Sequence, residues 1–224
     1  MTADELPELL ESYATAIGPE ADEIIEEMGA QARREGFPYV GPAVGGWLAM
    51  CARFADAERV FEFGSGFGYS AYWFARELPE DGEVVLTEID ADELDQAREY
   101  LDRGGLADRA AFEHGDAIET IEDYDGPFDV VLIDCQKERY AEAFEAVRDK
   151  VAPGGIVAAD NAVAGGSIDA EQLRDYFEGD GDAGSMDGMT RGIAEYIETV
   201  RGDEAFETTL LPLGEGVAVS QREH

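Results

Sequence analysis

Apolar side chains recur at helical spacing through the first 56 residues, and the rhythm changes beyond them. In A-D-E-L-P-E-L-L-E-S-Y-A-T-A (residues 3–16) and P-E-A-D-E-I-I-E-E-M-G-A-Q-A-R-R-E (19–35) the apolar positions return every three or four residues. That spacing predicts amphipathic helices, because a 3.6-residue turn brings such positions onto one face. Each segment has a proline near its start, where a missing N–H costs nothing. A third helix is expected over roughly 42–55, P-A-V-G-G-W-L-A-M-C-A-R-F-A. From residue 58, short apolar runs alternate with helical segments: R-V-F-E-F, E-V-V-L-T-E, A-A-F-E-H, F-D-V-V-L-I-D and G-I-V-A-A-D. Near-continuous apolar runs suit strands buried on both faces, and their alternation with helices predicts an α/β fold around a mainly parallel sheet. The glycine- and aspartate-rich stretch 178–188 is expected to be a mobile surface loop, and a helix through I-A-E-Y-I-E-T-V should follow it. The chain closes with F-E-T-T-L-L-P-L, G-E-G and V-A-V-S-Q-R, an expected antiparallel hairpin at one sheet edge.

Composition narrows the function. At 224 residues one α/β domain is expected, with 1–56 as a helical cover and 57–224 as the core. The 52 acidic residues against 16 basic ones give a net charge of −36, spread along the whole chain. Such a surface repels phosphates, so no nucleic-acid partner is expected. It also repels itself, unless salt near 1 M shortens the screening length to about 3 Å. Lysine occurs only at 137 and 150, the other fourteen basic residues being arginine, which together with the acidity points to an extreme halophile. No apolar run approaches the roughly 20 residues of a membrane helix, so no membrane partner is expected. Two cysteines, Cys51 and Cys135, fit a reducing cytoplasm rather than a disulfide framework or a zinc site.

Ligands of open α/β sheets sit beyond the carboxyl ends of the strands, and three stretches there carry chemistry. V-F-E-F-G-S-G-F-G-Y-S places Gly64, Gly66 and Gly68 between a strand and a helix, with Glu62 inside the strand. A dinucleotide fingerprint would need glycine at 69, where Tyr69 stands. Glu88 ends the second strand about 20 residues on, where a carboxylate can accept ribose hydroxyls. Asp134 ends the fourth strand and Asp160 the fifth, followed by Asn161. Two carboxylates and an amide oxygen on one rim suit a hard cation such as Mg²⁺. Lys137, three residues past Asp134, shares that rim. Near a divalent cation a lysine can act as a general base, which arginine cannot. A solvated surface lysine is the competing account, although Ala141 rather than an acid lies one turn away.

These stretches resemble the cation-dependent, S-adenosylmethionine (SAM) dependent O-methyltransferases, the group that includes the catechol and caffeoyl-CoA enzymes. The resemblance covers roughly residues 38–222 and implies a class I SAM methyltransferase sheet, Rossmann-like, of seven mainly parallel strands with the C-terminal hairpin antiparallel. By the same resemblance V-F-E-F-G-S-G-F-G-Y-S is the first SAM motif, with Glu62 in the acidic position, Tyr69 beside the cofactor and Ser70 meeting the methionine carboxylate. Y-V-G-P-A-V-G-G is similar to the segment closing over SAM, implying backbone contact at Val40 and Gly41. T-E-I-D sets Glu88 on the ribose with Ile89 next to it, and H-G-D-A sets Gly115, Asp116 and Ala117 beside the adenine. D-C-Q-K-E-R-Y and A-A-D-N imply that Asp134, Asp160 and Asn161 hold the metal, with Asp134 also on the cofactor side. Lys137 would take a hydroxyl proton and Tyr140 would pack nearby. The implied acceptor is a small hydroxylated molecule with vicinal oxygens, and a homodimer is plausible on the same ground. Departures are Val44, where relatives often carry a charge, and Gln136, where the catechol enzyme has an aromatic residue. Cys135 is expected to be a small buried filler, His114 structural or near adenine, and 179–188 a lid over the substrate. Alternatives are a metal-independent SAM methyltransferase acting on nitrogen or RNA, and a non-catalytic SAM-binding module.

Overall fold

Seven strands form one sheet in the order β3-β2-β1-β4-β5-β7-β6. They are β1 Arg59–Phe63, β2 Glu83–Glu88, β3 Ala110–His114, β4 Phe128–Ile133, β5 Val151–Ala159, β6 Phe206–Leu211 and β7 Val217–Arg222. The computed structural model describes residues 5–223, so Ala3 and Asp4 of the expected first helix lie outside the described residues. Strands β1 to β5 run parallel, and the β6–β7 hairpin returns antiparallel, pairing Ala158 with Val219 and Ala159 with Ala218.

Successive side chains of each buried strand face opposite layers. Val60, Val84, Leu86, Val130 and Leu132 join one core with α2 (Glu23–Glu35), α3 (Gly41–Phe54), α4 (Tyr69–Glu77) and α5 (Ala91–Arg103). Phe61, Phe63, Val85, Val131 and Ile133 join the other with α7 (Tyr140–Val147) and α9 (Gly188–Gly202). The remaining helices are α1 (Glu5–Ile17), the single turn α6 (Ala117–Thr120) and α8 (Ala170–Glu178).

The second helix starts four residues later than the proline suggested. Asp22 accepts a hydrogen bond from Ile25 N at 2.9 Å, so it caps the first turn and leaves Pro19 outside the helix. The fifth strand begins at Val151, earlier than expected, and β4 and β5 stop at Ile133 and Ala159. Asp134 and Asp160 nonetheless stay in the ladder through their own N–H groups, donated to Phe63 O at 2.9 Å and to Ile133 O at 3.1 Å. This aligns the two carboxylates on the rim. The stretch 179–188 is folded back on α8, with Gly181 N donating to Asp175 O and Met186 buried in the second core. Among the described residues no helix is long and apolar enough to cross a membrane.

Candidate active site

A cavity of about 410 Å³ opens at the carboxyl ends of β1, β4 and β5. Val40, Gly64, Gly66, Tyr69, Ser70, Glu88, Asp134, Lys137, Asp160 and Asn161 line it. A neighbouring cavity of about 360 Å³ shares Gly64, Glu88 and Asp134 and adds Ile89, Gly115, Asp116 and Ala117. The two together form a trough across the end of the sheet, divided by the loop after β1.

That loop owes its glycines to backbone packing. Gly64 has φ +86°, and a Cβ there would lie 2.6 Å from Asp134 O. Gly68 has φ +83°, and a Cβ would lie 2.7 Å from the Ala97 methyl. Gly68 therefore lets α4 sit against α5 and is not on the cavity wall. Gly41, at the start of α3 with φ +75°, is buried and does not line the cavity, whereas its neighbour Val40 does. Glu88 binds the loop from beside it: Oε2 accepts from Gly66 N at 2.8 Å, and Oε1 from Ile89 N and Asp90 N at 2.8 and 3.0 Å. The first turn of α4 starts at Gly68 with no side-chain cap, so its N–H groups are open beside Ser70.

Glu62 lies beneath the floor, fully buried, with neither carboxylate oxygen hydrogen-bonded. Burial pushes it up to about 8. The nearby Ser70 hydroxyl offsets part of this, short of an ordinary hydrogen bond, and the Asp134 charge adds to it. Asp116 is tied on both sides: Oδ1 caps Ile118 N at 2.9 Å and Oδ2 accepts from Arg139 at 2.6 Å. Ile89, 62% exposed, offers an apolar flank at the mouth of the second cavity.

The opposite end of the trough is the charged cluster. Lys137 Nζ donates to Asp134 Oδ1 at 2.9 Å, to Asn161 Oδ1 at 2.6 Å and to the Tyr140 hydroxyl at 2.6 Å. Tyr140 is buried and donates a hydrogen bond to Asp160 O at 3.0 Å, which fixes the phenol under the amine. The competing solvated-surface account fails: only 13% of the lysine side chain is exposed. Asp160 is 4% exposed and its Oδ1 has no partner. Burial, then the Asp134 charge, pushes Asp160 up to about 7, and desolvation likewise raises Asp134 against the pull of Lys137. Among the described residues no three of His, Cys, Asp and Glu converge as a metal cage; the third oxygen is the Asn161 amide. An orphaned buried carboxylate oxygen, a second carboxylate and an amide oxygen fit a hard divalent cation.

Some expectations change. Cys135 packs against the second core as expected, but it is only half-buried and also lines both cavities. Gln136 lines the second cavity beside Ile118 and Arg139, away from the walls of the lysine end. Gly165, Gly166 and Met189 line the first cavity on the Asn161 and Glu215 side, Phe37 and Tyr39 line it beside Gly66 and Tyr69, and none of 179–188 lines it. The expected lid instead packs on α8 and the second core, away from the walls of this cavity. Val44 is buried against the hairpin turn, where a Cβ on Gly214 would lie 2.7 Å away, and a charge there would be desolvated. His114 is exposed and meets Ile89 O at 3.1 Å, a structural contact. Sequence reasoning missed Glu215, whose Oε2 accepts from Asn161 Nδ2. Only the pairing of β5 with β7 brings the G-E-G turn to this rim.

The family model for O-methyltransferases matches residues 16–223. The chain belongs to the O-methyltransferase family. Membership gives the reaction class, transfer of a methyl group to oxygen. A catechol O-methyltransferase of Niastella koreensis is 33% identical over 133 residues, which span 58% of this chain and 60% of that one. Caffeoyl-CoA O-methyltransferase 3 of Nicotiana tabacum is 28% identical over 187 residues, 80% of this chain and 74% of its own. The O-methyltransferase TomG from Streptomyces achromogenes, solved with SAM, superposes with a TM-score of 0.86 at 24% identity, over 100% of both chains. An O-methyltransferase from Bacillus cereus, solved with S-adenosylhomocysteine, gives 0.83 at 24% identity, covering 98% and 99%. These two establish the shared fold.

Proposed function

We propose that the protein transfers the methyl group of SAM to one hydroxyl of a small molecule bearing vicinal oxygens, such as a catechol, with a divalent cation held by Asp134, Asp160 and Asn161. The observation that carries this is the convergence of Lys137, Asp134, Asn161 and Tyr140 around an orphaned Asp160 oxygen at the end of the trough.

SAM lies along the trough in this reading. Ile89, Gly115 and Ala117 bound the adenine, and Asp116 lends its position while its carboxylate holds Arg139. Glu88 accepts the ribose hydroxyls. The open N–H groups of α4 and the Ser70 hydroxyl meet the methionine carboxylate, as a helix start favours an anion. Val40 would cover the methionine end in the cavity that Lys137 also lines, so the methyl donor and the amine would share one space. The acceptor would enter the first cavity beside Lys137, on the side lined by Gly165, Gly166 and Met189. When bound, a cation supplies positive charge that favours ionisation of the acceptor hydroxyl. With a cation taking over Asp134 and Asn161, Lys137 would have to shed its ammonium proton to solvent first, and as the neutral amine held by Tyr140 it would then take the hydroxyl proton. The rest of the rate comes from holding oxygen and methyl in line, since SAM brings its own leaving group.

The test is methyl transfer from labelled SAM to catechols and simple phenols in about 2 M KCl, with Mg²⁺ or with EDTA. Transfer to catechols that stops in EDTA is the expected result. Undiminished transfer in EDTA would return Asp134 and Asp160 to ordinary strand-end acids and favour a metal-independent enzyme.

A further inference from the structure

We infer that Glu215 is a positioning residue, whose carboxylate fixes the Asn161 amide with its oxygen turned into the site. This rests on the reading that Asn161 is a cation ligand. An asparagine amide has two ends of nearly equal shape and opposite chemistry: the oxygen accepts and the nitrogen donates. Only one orientation serves a cation. Asn161 sits between a group that can only donate and one that can only accept. Its Oδ1 accepts from Lys137 Nζ at 2.6 Å, and its Nδ2 donates to Glu215 Oε2. Turning the amide over would set NH₂ against an ammonium and oxygen against a carboxylate. Each partner alone biases the amide; if a cation draws Asn161 away from Lys137, Glu215 is what remains to fix it.

The chain is built to hold this pair. Asn161 adopts the left-handed backbone conformation, φ +56°, which asparagine tolerates better than other side chains. The segment after it is clasped to the hairpin turn: Ala162 N donates to Gly216 O at 2.7 Å, and Val163 N and Ala164 N donate to Glu215 O at 3.0 and 2.9 Å. Gly165 has φ +104°, and a Cβ there would lie 2.5 Å from Glu215 Oε2 and 3.0 Å from Asn161 Nδ2. Glycine at 165 thus leaves the space the pair occupies. Glu215 also adds negative charge beside Asp134 and Asp160 and raises both. Its charge and its orienting contact are separable, because glutamine can still accept from Asn161 Nδ2 without carrying charge.

The experiment titrates Mn²⁺ into the full chain in 2 M KCl without SAM and reads free Mn²⁺ by electron paramagnetic resonance. SAM affinity is measured in parallel. Groups that orient metal ligands are typically worth 10- to 100-fold in metal affinity, and this exposed contact should fall near the lower end. Glu215→Ala should weaken Mn²⁺ binding about tenfold, Glu215→Gln less than about threefold, and neither should move SAM affinity beyond twofold. A carboxylate has no wrong end, so the same Glu215→Ala change made in Asn161→Asp should produce no loss. Equal binding by wild type and Glu215→Ala overturns the proposal. So does a Glu215→Gln loss as large as that of alanine, which would assign the effect to charge, and so does an undiminished loss in the Asn161→Asp background. Wild type that binds no Mn²⁺ overturns the metal reading itself, an outcome distinct from these.

Discussion

Glu62→Gln tests the most unusual group in the fold. The wild-type carboxyl sits inside β1, fully buried and unpartnered, and burial lifts it from 4.5 to about 8. Between those values the folded state holds a proton that the unfolded state has released, so stability falls as pH rises and levels off only above about 8. At about 1.4 kcal/mol per tenfold change in proton affinity, the cost is below ~1 kcal/mol at pH 5 and ~3 kcal/mol at pH 7. It reaches between 4 and 5 kcal/mol at pH 8.5. Glutamine keeps the shape and removes the titration. Its amide is also left without partners, which costs about 1–3 kcal/mol at every pH and so shifts the level, not the slope. Asp134 and Asp160 titrate in both proteins, so of their contribution only the coupling of Asp134 to Glu62 enters the difference. The assay is thermal unfolding of metal-free, SAM-free wild type and variant in 2 M KCl at pH 5, 7 and 8.5. The wild type should lose about 4 kcal/mol relative to the variant across that range, about 8–15 °C in melting temperature for a chain of this size. Parallel pH profiles would refute a buried, proton-holding Glu62.

Lys137→Arg should lower kcat by about 10²–10⁴ while leaving SAM affinity unchanged, because a guanidinium cannot accept the proton; near-normal turnover would show that the position needs only charge. Asp160 is pushed up to about 7 by burial and the Asp134 charge, and a cation needs its ionised form, so Mn²⁺ affinity should rise about tenfold from pH 6 to pH 8; a flat profile would remove Asp160 from the ligand set. Gly68→Ala meets both a φ of +83° and the Ala97 methyl at 2.7 Å, and should cost about 2–4 kcal/mol by thermal unfolding; a neutral result would mean that α4 and α5 can move apart freely. With a net charge of −36, melting temperature should rise steeply between 0.1 and 2 M KCl; insensitivity to salt would disconnect the acidity from habitat.

Much of the protein was legible from residue order because its signals are local. Five apolar runs separated by helical periodicity fix the strands, and A-A-F-E-H spans β3 residue for residue. The strand-end positions of Asp134, Asp160 and Asn161 follow from the same pattern, as does the placement of Lys137 three residues beyond one of them. Packing chemistry moved some boundaries: the Asp22 cap outweighed the proline as a helix start, and Met186 drew 179–188 onto the core and off the cavity walls. What only the tertiary structure decided depends on strand order. Setting β7 beside β5 puts the G-E-G turn against the D-N segment and makes Glu215 the partner of an amide 54 residues away. The packing of α4 on α5 explains Gly68, which in the sequence looks like one more cofactor glycine. Whether Glu62 is paired or orphaned was beyond sequence reading for the same reason. Burial is set by what the other elements bring to a position, and residue order alone carries no measure of it.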